Sequence, residues 1–462
     1  MNLVWFRNDL RVDDNPALYQ AMEDNAVGTV AVYLLCQQQW DIHGVGVNRR
    51  AMIIQALKNL RSQLDRLNVP LLILDAKSFA KVPKLLASLC TSLQVSQLFF
   101  NLEHAVNERQ RDKQVVEQLN NQTKCIRTVG QSLTAPWEIT NQEGGGYKVF
   151  SAFARRVYRL LDQSPLVTYP VPEAKSSANR ALVDNALSIQ LPKIQPSIVF
   201  LPDIAESSVL PLLDEFLQSR VQQYAHQRDF PAISGTSKLS TALAVGSLSV
   251  RRCYQQAKKT AGNQATSWIN ELIWRDFYRA VMWHFPKVSQ GQAFHSVDRI
   301  ITWLDSPAAL TIWQNGQTGI PIVDAAMKQL VETGWMHNRL RMIVASYLSK
   351  NLFMDWRHGE AFFAEHLVDY DFASNNGGWQ WCASVGTDAA PYFRVFNPAA
   401  QQKKFDPDAT FIKRWLPQLA NFSARAIHQF EKTPLAGYYS PQVDLKQTRQ
   451  FAIEQFKLAK AG

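Results

Sequence analysis

Over the first 130 residues, apolar side chains come in short unbroken runs rather than in alternation. Residues 3–6, 29–35, 71–74, 97–101 and 126–129 are rich in Val, Ile, Leu and aromatics, and they predict five strands. Apolar positions recur at helical spacing between them. One helix is predicted from Pro16, with Asn15 placed to cap it. A longer one, over 49–67, carries Ile53, Leu57, Leu60, Leu64 and Leu67 on a single stripe. Fully apolar strands separated by helices imply a parallel sheet covered on both faces, hence a Rossmann-like α/β domain over residues 1–128. No G-x-G-x-x-G follows the first strand, which argues against a conventional dinucleotide site there.

A connector is expected over 129–205. Gly144, Gly145 and Gly146 break the pattern, 149–161 reads as one amphipathic helix, and six prolines punctuate 165–202. From 206 to 462 the periodicity is helical, with segments predicted at 210–226, 249–260, 268–284, 321–332, 338–352 and 359–368. The expected architecture is an α/β N-terminal domain, a long linker and an all-α C-terminal domain.

Composition narrows the classes. With 46% hydrophobic and 19% charged residues the chain is globular, not disordered or low-complexity. No apolar run approaches the roughly 18 residues of a membrane span. The opening residues lack a basic region leading into an apolar stretch, so a cytoplasmic protein without a signal peptide is expected. Five scattered cysteines without C-x-x-C suggest reduced thiols and no metal site. Lys+Arg 49 against Asp+Glu 39 gives a net charge of +10, which suits a polyanionic partner. Of the 13 tryptophans, all but Trp5, Trp40 and Trp137 lie in the helical half.

Four constellations there carry candidate chemistry. Gly235-Thr236-Ser237-Lys238-Leu239-Ser240 enters a helix with hydroxyls and free N–H groups, a phosphate cradle or an ordinary capped helix. Glu271, Trp274, Arg275 and Tyr278 share a helix face, suited to holding a flat polar group or to a buried Glu–Arg bridge beneath a structural Trp. After Gly334-Trp335, Asn338, Arg341 and Met342 align on a helix, where Met342 could equally fill an interior gap. Residues 369–381 read as a loop of two acids, two amides, two glycines and two tryptophans, with glycines allowing close approach to a ligand.

The runs Asn375-Asn376-Gly377-Gly378-Trp379-Gln380-Trp381, Asn338-Arg339-Leu340-Arg341-Met342, Glu271-Leu272-Ile273-Trp274-Arg275 and Gly235–Ser240, with the opening Val4-Trp5-Phe6-Arg7-Asn8-Asp9-Leu10-Arg11, resemble the photolyase/cryptochrome family in matching order along the chain. Within it, the chain is most similar to class I cyclobutane pyrimidine dimer photolyases. Six-four enzymes carry paired histidines where this chain has Asn338-Arg339, and cryptochromes commonly alter the positions held here by Glu271, Trp274, Met342 and Trp381.

The resemblance implies a light-driven lyase whose C-terminal domain binds FAD, reduced as FADH⁻ when active, and repairs pyrimidine dimers in double- or single-stranded DNA. It implies a flavin site of Tyr224, Thr236, Ser237, Lys238, Leu239, Ser240, Trp268, Arg275, Arg341, Asp369, Tyr370, Asp371 and Asn375. Of these, the Ser/Thr loop would face the diphosphate and Asn375 the reactive ring nitrogen. Trp274 and Trp381 would flank a flipped-out dimer, Glu271 would bond its edge, and Met342 would touch it. Arg228, Asn338, Arg339 and Gln401 would hold the strand. Trp379, Trp356 and Trp303 match an electron-transfer chain. In the α/β domain, Asn107 and Glu108 resemble residues that contact a folate antenna. Gln290 stands where folate-binding relatives carry a basic residue, with Lys287 nearby. Methenyltetrahydrofolate is therefore the first expectation, with a flavin, a deazaflavin or no antenna as alternatives. A monomer is expected. The rivals are a blue-light receptor that binds flavin without repair, and a flavin-independent nucleotide- or DNA-binding protein.

Overall fold

The structure, a computed structural model, describes every residue except 25, 121, 184–187 and 462. Five strands, β1 (Asn2–Phe6), β2 (Thr29–Leu35), β3 (Leu71–Asp75), β4 (Gln97–Asn101) and β5 (Lys124–Thr128), form one all-parallel sheet in the order β3-β2-β1-β4-β5. Val4 pairs with Ala31 on one side and with Phe99 on the other, so β1 is central and every crossover is helical. Both β1 and β2 are buried along their whole length, as a sheet covered on two faces requires. The helix Pro16–Met22 is capped by Asn15, whose side chain accepts from Leu18 N–H, with Pro16 in its first turn. The helix Val47–Arg66 buries Ile53, Leu57, Leu60 and Leu64.

By contacts the described chain divides into two compact units. The first is Met1–Pro196 with Leu201–Gln222 and Ser237–Ser289; the second is Ser197–Phe200 with Gln223–Thr236 and Gln290–Gly462. The expected partition at 128 and 205 followed element type, whereas contacts join helices to the sheet. Gly246, with φ +79°, ends the helix Ser240–Val245 where a Cβ would lie 2.1 Å from the carbonyl oxygen of Asn8, just after β1. Arg49 donates to Ala244 O at 2.8 Å. Buried Arg251, on the helix Val250–Ala261, pairs with buried Asp14 at 2.7 Å. The first unit also holds the helices Phe150–Gln163 and Thr266–His284.

The second unit is helical, around a core that includes Trp313, Trp356, Trp379, Tyr347 and Phe353. Two expected segments continue beyond the α-helix through π turns: Glu206–Glu215 into Phe216–Arg220, and Asn338–Ser346 into Tyr347–Asn351. Gly334, at φ +66°, closes the helix Pro321–Thr333, and His337 caps the next by accepting from Arg339 N–H. The stretch read as a loop is instead the helix Phe372–Ala383. Asp371 starts it by accepting from Ser374 N–H, and buried Trp379, Gln380, Cys382 and Ala383 hold its second half despite Gly377 and Gly378.

Candidate functional site

In the first unit, the helix Thr266–His284 presents Glu271, Trp274, Arg275 and Tyr278 as half-buried residues. Trp274 lies flat on Phe150, with centroids 3.8 Å apart and planes 4° from parallel. That stack fixes the indole's orientation, and Phe150 had no signal in the sequence beyond helical spacing. Arg275 donates to the backbone oxygens of Gln131 (2.7 Å) and Leu243 (3.1 Å), so its guanidinium ties three segments together. Trp268 is buried against Phe216 and donates its indole N–H to Ser237 Oγ at 3.3 Å. Lys238 is exposed and takes φ +55°, which turns the chain before the helix Ser240–Val245.

In the second unit, Arg341 grips the buried Asp369 with one nitrogen (2.8 and 3.0 Å) and Met336 O with another (2.8 Å). Asn375 donates to Glu360 O at 3.0 Å and Asn376 to the Glu360 carboxylate at 2.8 Å. Gln380 donates to Asn376 Oδ1 at 2.8 Å, completing a polar ladder along the helix. Burial pushes the Glu360 carboxyl up to about 7, against the pull of its bond from Asn376. The sequence reading missed Glu360, because its partners lie 15 and 16 residues away. Met342 and Trp381 are half-buried, and Trp381 sits edge-on to Phe396.

Near them Arg339 bridges Asp229 at 2.8 Å and lies over Phe405. Its Nε, Gln401 Oε1 and His337 Nε2 are buried with no partner among the described residues. Burial and neighbouring arginines hold the His337 imidazole down to about 4, opposed by Asp229, so it is neutral. Arg228 lies over the ring of Tyr224, and Asn338 is exposed. Buried polar atoms left unbonded in this way are costly unless a ligand meets them.

Trp379 and Trp356 are fully buried and Trp303 is half-buried. Trp379 packs edge-on against Phe363 and Trp313, and against Gly359 of the helix that begins with Trp356. Asp298, also missed by the sequence reading, accepts from both other indoles at the same oxygen: Trp356 Nε1 at 3.1 Å and Trp303 Nε1 at 3.4 Å.

In the α/β part, exposed Asn107 bonds His43 Nε2 at 3.1 Å. Glu108 is pushed up to about 7, by burial first and then by Glu103. Beyond the carboxyl ends of β1, β2 and β4, strand order reversing between β1 and β4, lies a cleft bordered by Trp5, Tyr33, Trp40 and Glu108. It measures about 70 Å³. Arg111 lines it, pairing with Glu103 (2.8 Å) and Asp112 (2.7 Å), while the guanidinium groups of Arg7 and Arg111 lie over Trp5.

Comparison with known proteins now fixes the family. Residues 2–173 match the family described as DNA photolyase, and residues 268–458 match the FAD binding domain of DNA photolyase. The chain is 39% identical over 471 residues to the deoxyribodipyrimidine photo-lyase of Salmonella typhimurium, covering 100% of this chain and 99% of that one. It belongs to the DNA photolyase family. The Escherichia coli deoxyribodipyrimidine photo-lyase is 38% identical over 473 residues, with the same coverage. A bacterial class III photolyase from Agrobacterium tumefaciens superposes with a TM-score of 0.86 at 30% identity, covering 100% of this chain and 98% of that one. An archaeal photolyase from Sulfolobus tokodaii, described as holding two FAD molecules that imply a novel light-harvesting cofactor, gives a TM-score of 0.81 at 28% identity over 99% and 100% of the two chains.

The residues present fit FAD, the group this family's C-terminal domain binds. Asn375 and Gly378 lie one turn apart on the helix Phe372–Ala383, and a Cβ built on Gly378 meets nothing within 4 Å, so that face is bare. Among the described residues no helix is long and apolar enough to cross a membrane.

Proposed function

We propose that this chain is a deoxyribodipyrimidine photo-lyase: with FAD bound, it repairs cyclobutane pyrimidine dimers in DNA under light. The observation that carries the reading is likeness to photo-lyases of that name along the entire chain, 39% over 471 residues in one case. When bound, reduced FAD would supply the light-excited electron needed to open the cyclobutane and would take it back, with no net oxidation.

The chain's own residues hold, orient and exclude. Thr236, Ser237, Lys238, Leu239 and Ser240 meet the diphosphate, Tyr224 and Trp268 contribute to the flavin site, and Arg275 braces the helix Ser240–Val245 through Leu243 O. Arg341, Asp369, Tyr370, Asp371 and Asn375 meet the ring and ribose. Asn375 is held by Glu360 O, which presents a neutral amide in a fixed orientation to a negative ring. Trp274, already stacked on one side by Phe150, and Trp381 stack on the everted bases, each stack being worth about 1–3 kcal/mol. Glu271 bonds the pyrimidine edge and Met342 touches the dimer. Arg228, Asn338, Arg339 and Gln401 hold the strand, and the unbonded Arg339 Nε and Gln401 Oε1 favour an incoming polar partner there. Flipping costs a few kcal/mol, least at a damaged step, and so contributes to selectivity.

For the antenna we propose methenyltetrahydrofolate beside Asn107 and Glu108. We propose that the enzyme acts as a monomer in the cytoplasm.

The test is an oligonucleotide carrying one thymine dimer, incubated with flavin-loaded protein in blue light and in the dark. Loss of the dimer only in light is expected. Flavin-loaded protein that leaves the dimer intact in light would overturn the reading and favour a blue-light receptor.

A further inference from the structure

We propose that Asp298 is a positioning residue that directs electron flow outward-to-inward along Trp303, Trp356 and Trp379. This rests on the light-driven reading above. The three indoles differ in what meets their N–H. Trp379 Nε1 is buried with no partner among the described residues, in an apolar nest of Phe363 and Trp313. Trp356 and Trp303 both donate to Asp298 Oδ1, so their nitrogens are separated by less than two hydrogen-bond lengths laid end to end.

An indole that has lost an electron carries a positive charge and a more acidic N–H. A carboxylate accepting that N–H stabilises the oxidised form, the more so because hydrogen bonds with an ionised partner are roughly twice as strong as neutral ones. The gain is large at a site where Asp298 and Trp356 are both buried. Trp379, lacking such an acceptor, is the least favourable place for the positive charge. Once Trp379 has given one electron to the light-excited oxidised flavin, one electron passes to it from Trp356, and one passes to Trp356 from Trp303. Each acceptor is restored to the neutral indole, and the single missing electron ends on the half-exposed Trp303. No other oxidant or reductant enters, and each N–H proton stays in its bond to Asp298.

Arg357 makes the carboxylate necessary. Its guanidinium lies 4.5 Å from the Trp356 ring centre, where a cation opposes loss of an electron. Asp298 Oδ2 pairs with that same guanidinium at 2.7 Å and Asp355 does so at 3.1 Å. Asp298 therefore offsets a cation that faces Trp356 and accepts from both outer indoles. Its place in the turn Ser296–Arg299 brings it to Trp356 from 58 residues away.

Asp298→Asn keeps the shape and an acceptor oxygen but removes the charge. Flash-induced absorption of oxidised tryptophan in flavin-loaded protein should show the yield of long-lived oxidised Trp303 falling about tenfold, the worth of replacing a charged acceptor by a neutral one. Asp298→Glu, which restores the charge, should recover part of it. In the dark, the indole N–H resonances of Trp303 and Trp356 should move upfield in Asp298→Asn while that of Trp379 stays. Trp356→Phe separates the two readings. If it abolishes the signal and Asp298→Asn leaves yield and resonances unchanged, the role of Asp298 is overturned. If Trp356→Phe itself leaves the yield unchanged, the tryptophan chain falls and this inference with it.

Discussion

Gly359→Ala makes a test in which the sign of the effect decides. Gly359 sits in the second turn of the helix Trp356–His366, where alanine is ordinarily the better residue by about 1 kcal/mol. A Cβ at this position, however, would lie 2.0 Å from Trp379 Cη2 and 2.3 Å from Cζ3. Neither partner can give way cheaply. The indole is 2% exposed and wedged between Phe363 and Trp313, and the intruding atom is fixed to helix backbone. Overpacking of this kind costs about 1–3 kcal/mol, and a rigid ring met at 2.0 Å belongs at the upper end. After the gain in helix propensity, a net loss of about 2 kcal/mol remains. For a unit of this size that corresponds to a Tm roughly 4–8 °C lower by calorimetry of the flavin-loaded protein. The displaced Trp379 should also slow light-driven reduction of oxidised flavin, while repair by chemically reduced protein is largely kept. A Gly359→Ala protein that melts higher than wild type would refute the claim that Trp379 packs on this glycine.

Glu360→Gln tests a pH effect. The folded-state carboxyl titrates near 7 against an unfolded value near 4.5, so the folded protein holds an extra proton between those values and stability falls as pH rises through that window. The variant should lose that decline; an unchanged slope of denaturation midpoint between pH 5 and 8 would sink the assignment. Glu271→Ala should lower the number of dimers split per absorbed photon and leave flavin binding intact, as read by repair yield and by visible absorption; an unaltered yield removes Glu271 from the reaction. Affinity for dimer-containing DNA should fall with added salt, each phosphate neutralised contributing about −0.9 to the log–log slope. A flat response would contradict strand binding through Arg228 and Arg339.

What could be read from the sequence was governed by how far apart the interacting residues lie. The strands were found to within a residue or two, since each is set by its own apolar run: 71–74 became Leu71–Asp75, and 126–129 became Lys124–Thr128. The helix stripe of Ile53, Leu57, Leu60 and Leu64 needed only local periodicity. The stretch 369–381 failed for the converse reason. Asn and Gly are read as turn formers, but its helicity comes from Asp371 capping one end and from long-range burial of Trp379 and Cys382 at the other. The glycines that looked like loop residues leave a helix face bare at Gly378. The same distance rule sorts the candidate site. Motif residues were nameable because a family resemblance supplied them, yet what holds them was not: Phe150 under Trp274, Glu360 behind Asn375 and Asn376, and Asp298 under Trp356 each approach through tertiary contact alone. These supporting residues are ordinary in composition and spacing, and a carboxylate in the turn Ser296–Arg299 has no sequence mark that separates it from a solvated one. Only its burial, with three donors converging on two oxygens, gives it a role. A site of this kind is thus written at two ranges, with ligand-facing groups in short motifs and much of what tunes them reached across the fold, 15 residues from Glu360 to Asn375 and 58 from Asp298 to Trp356.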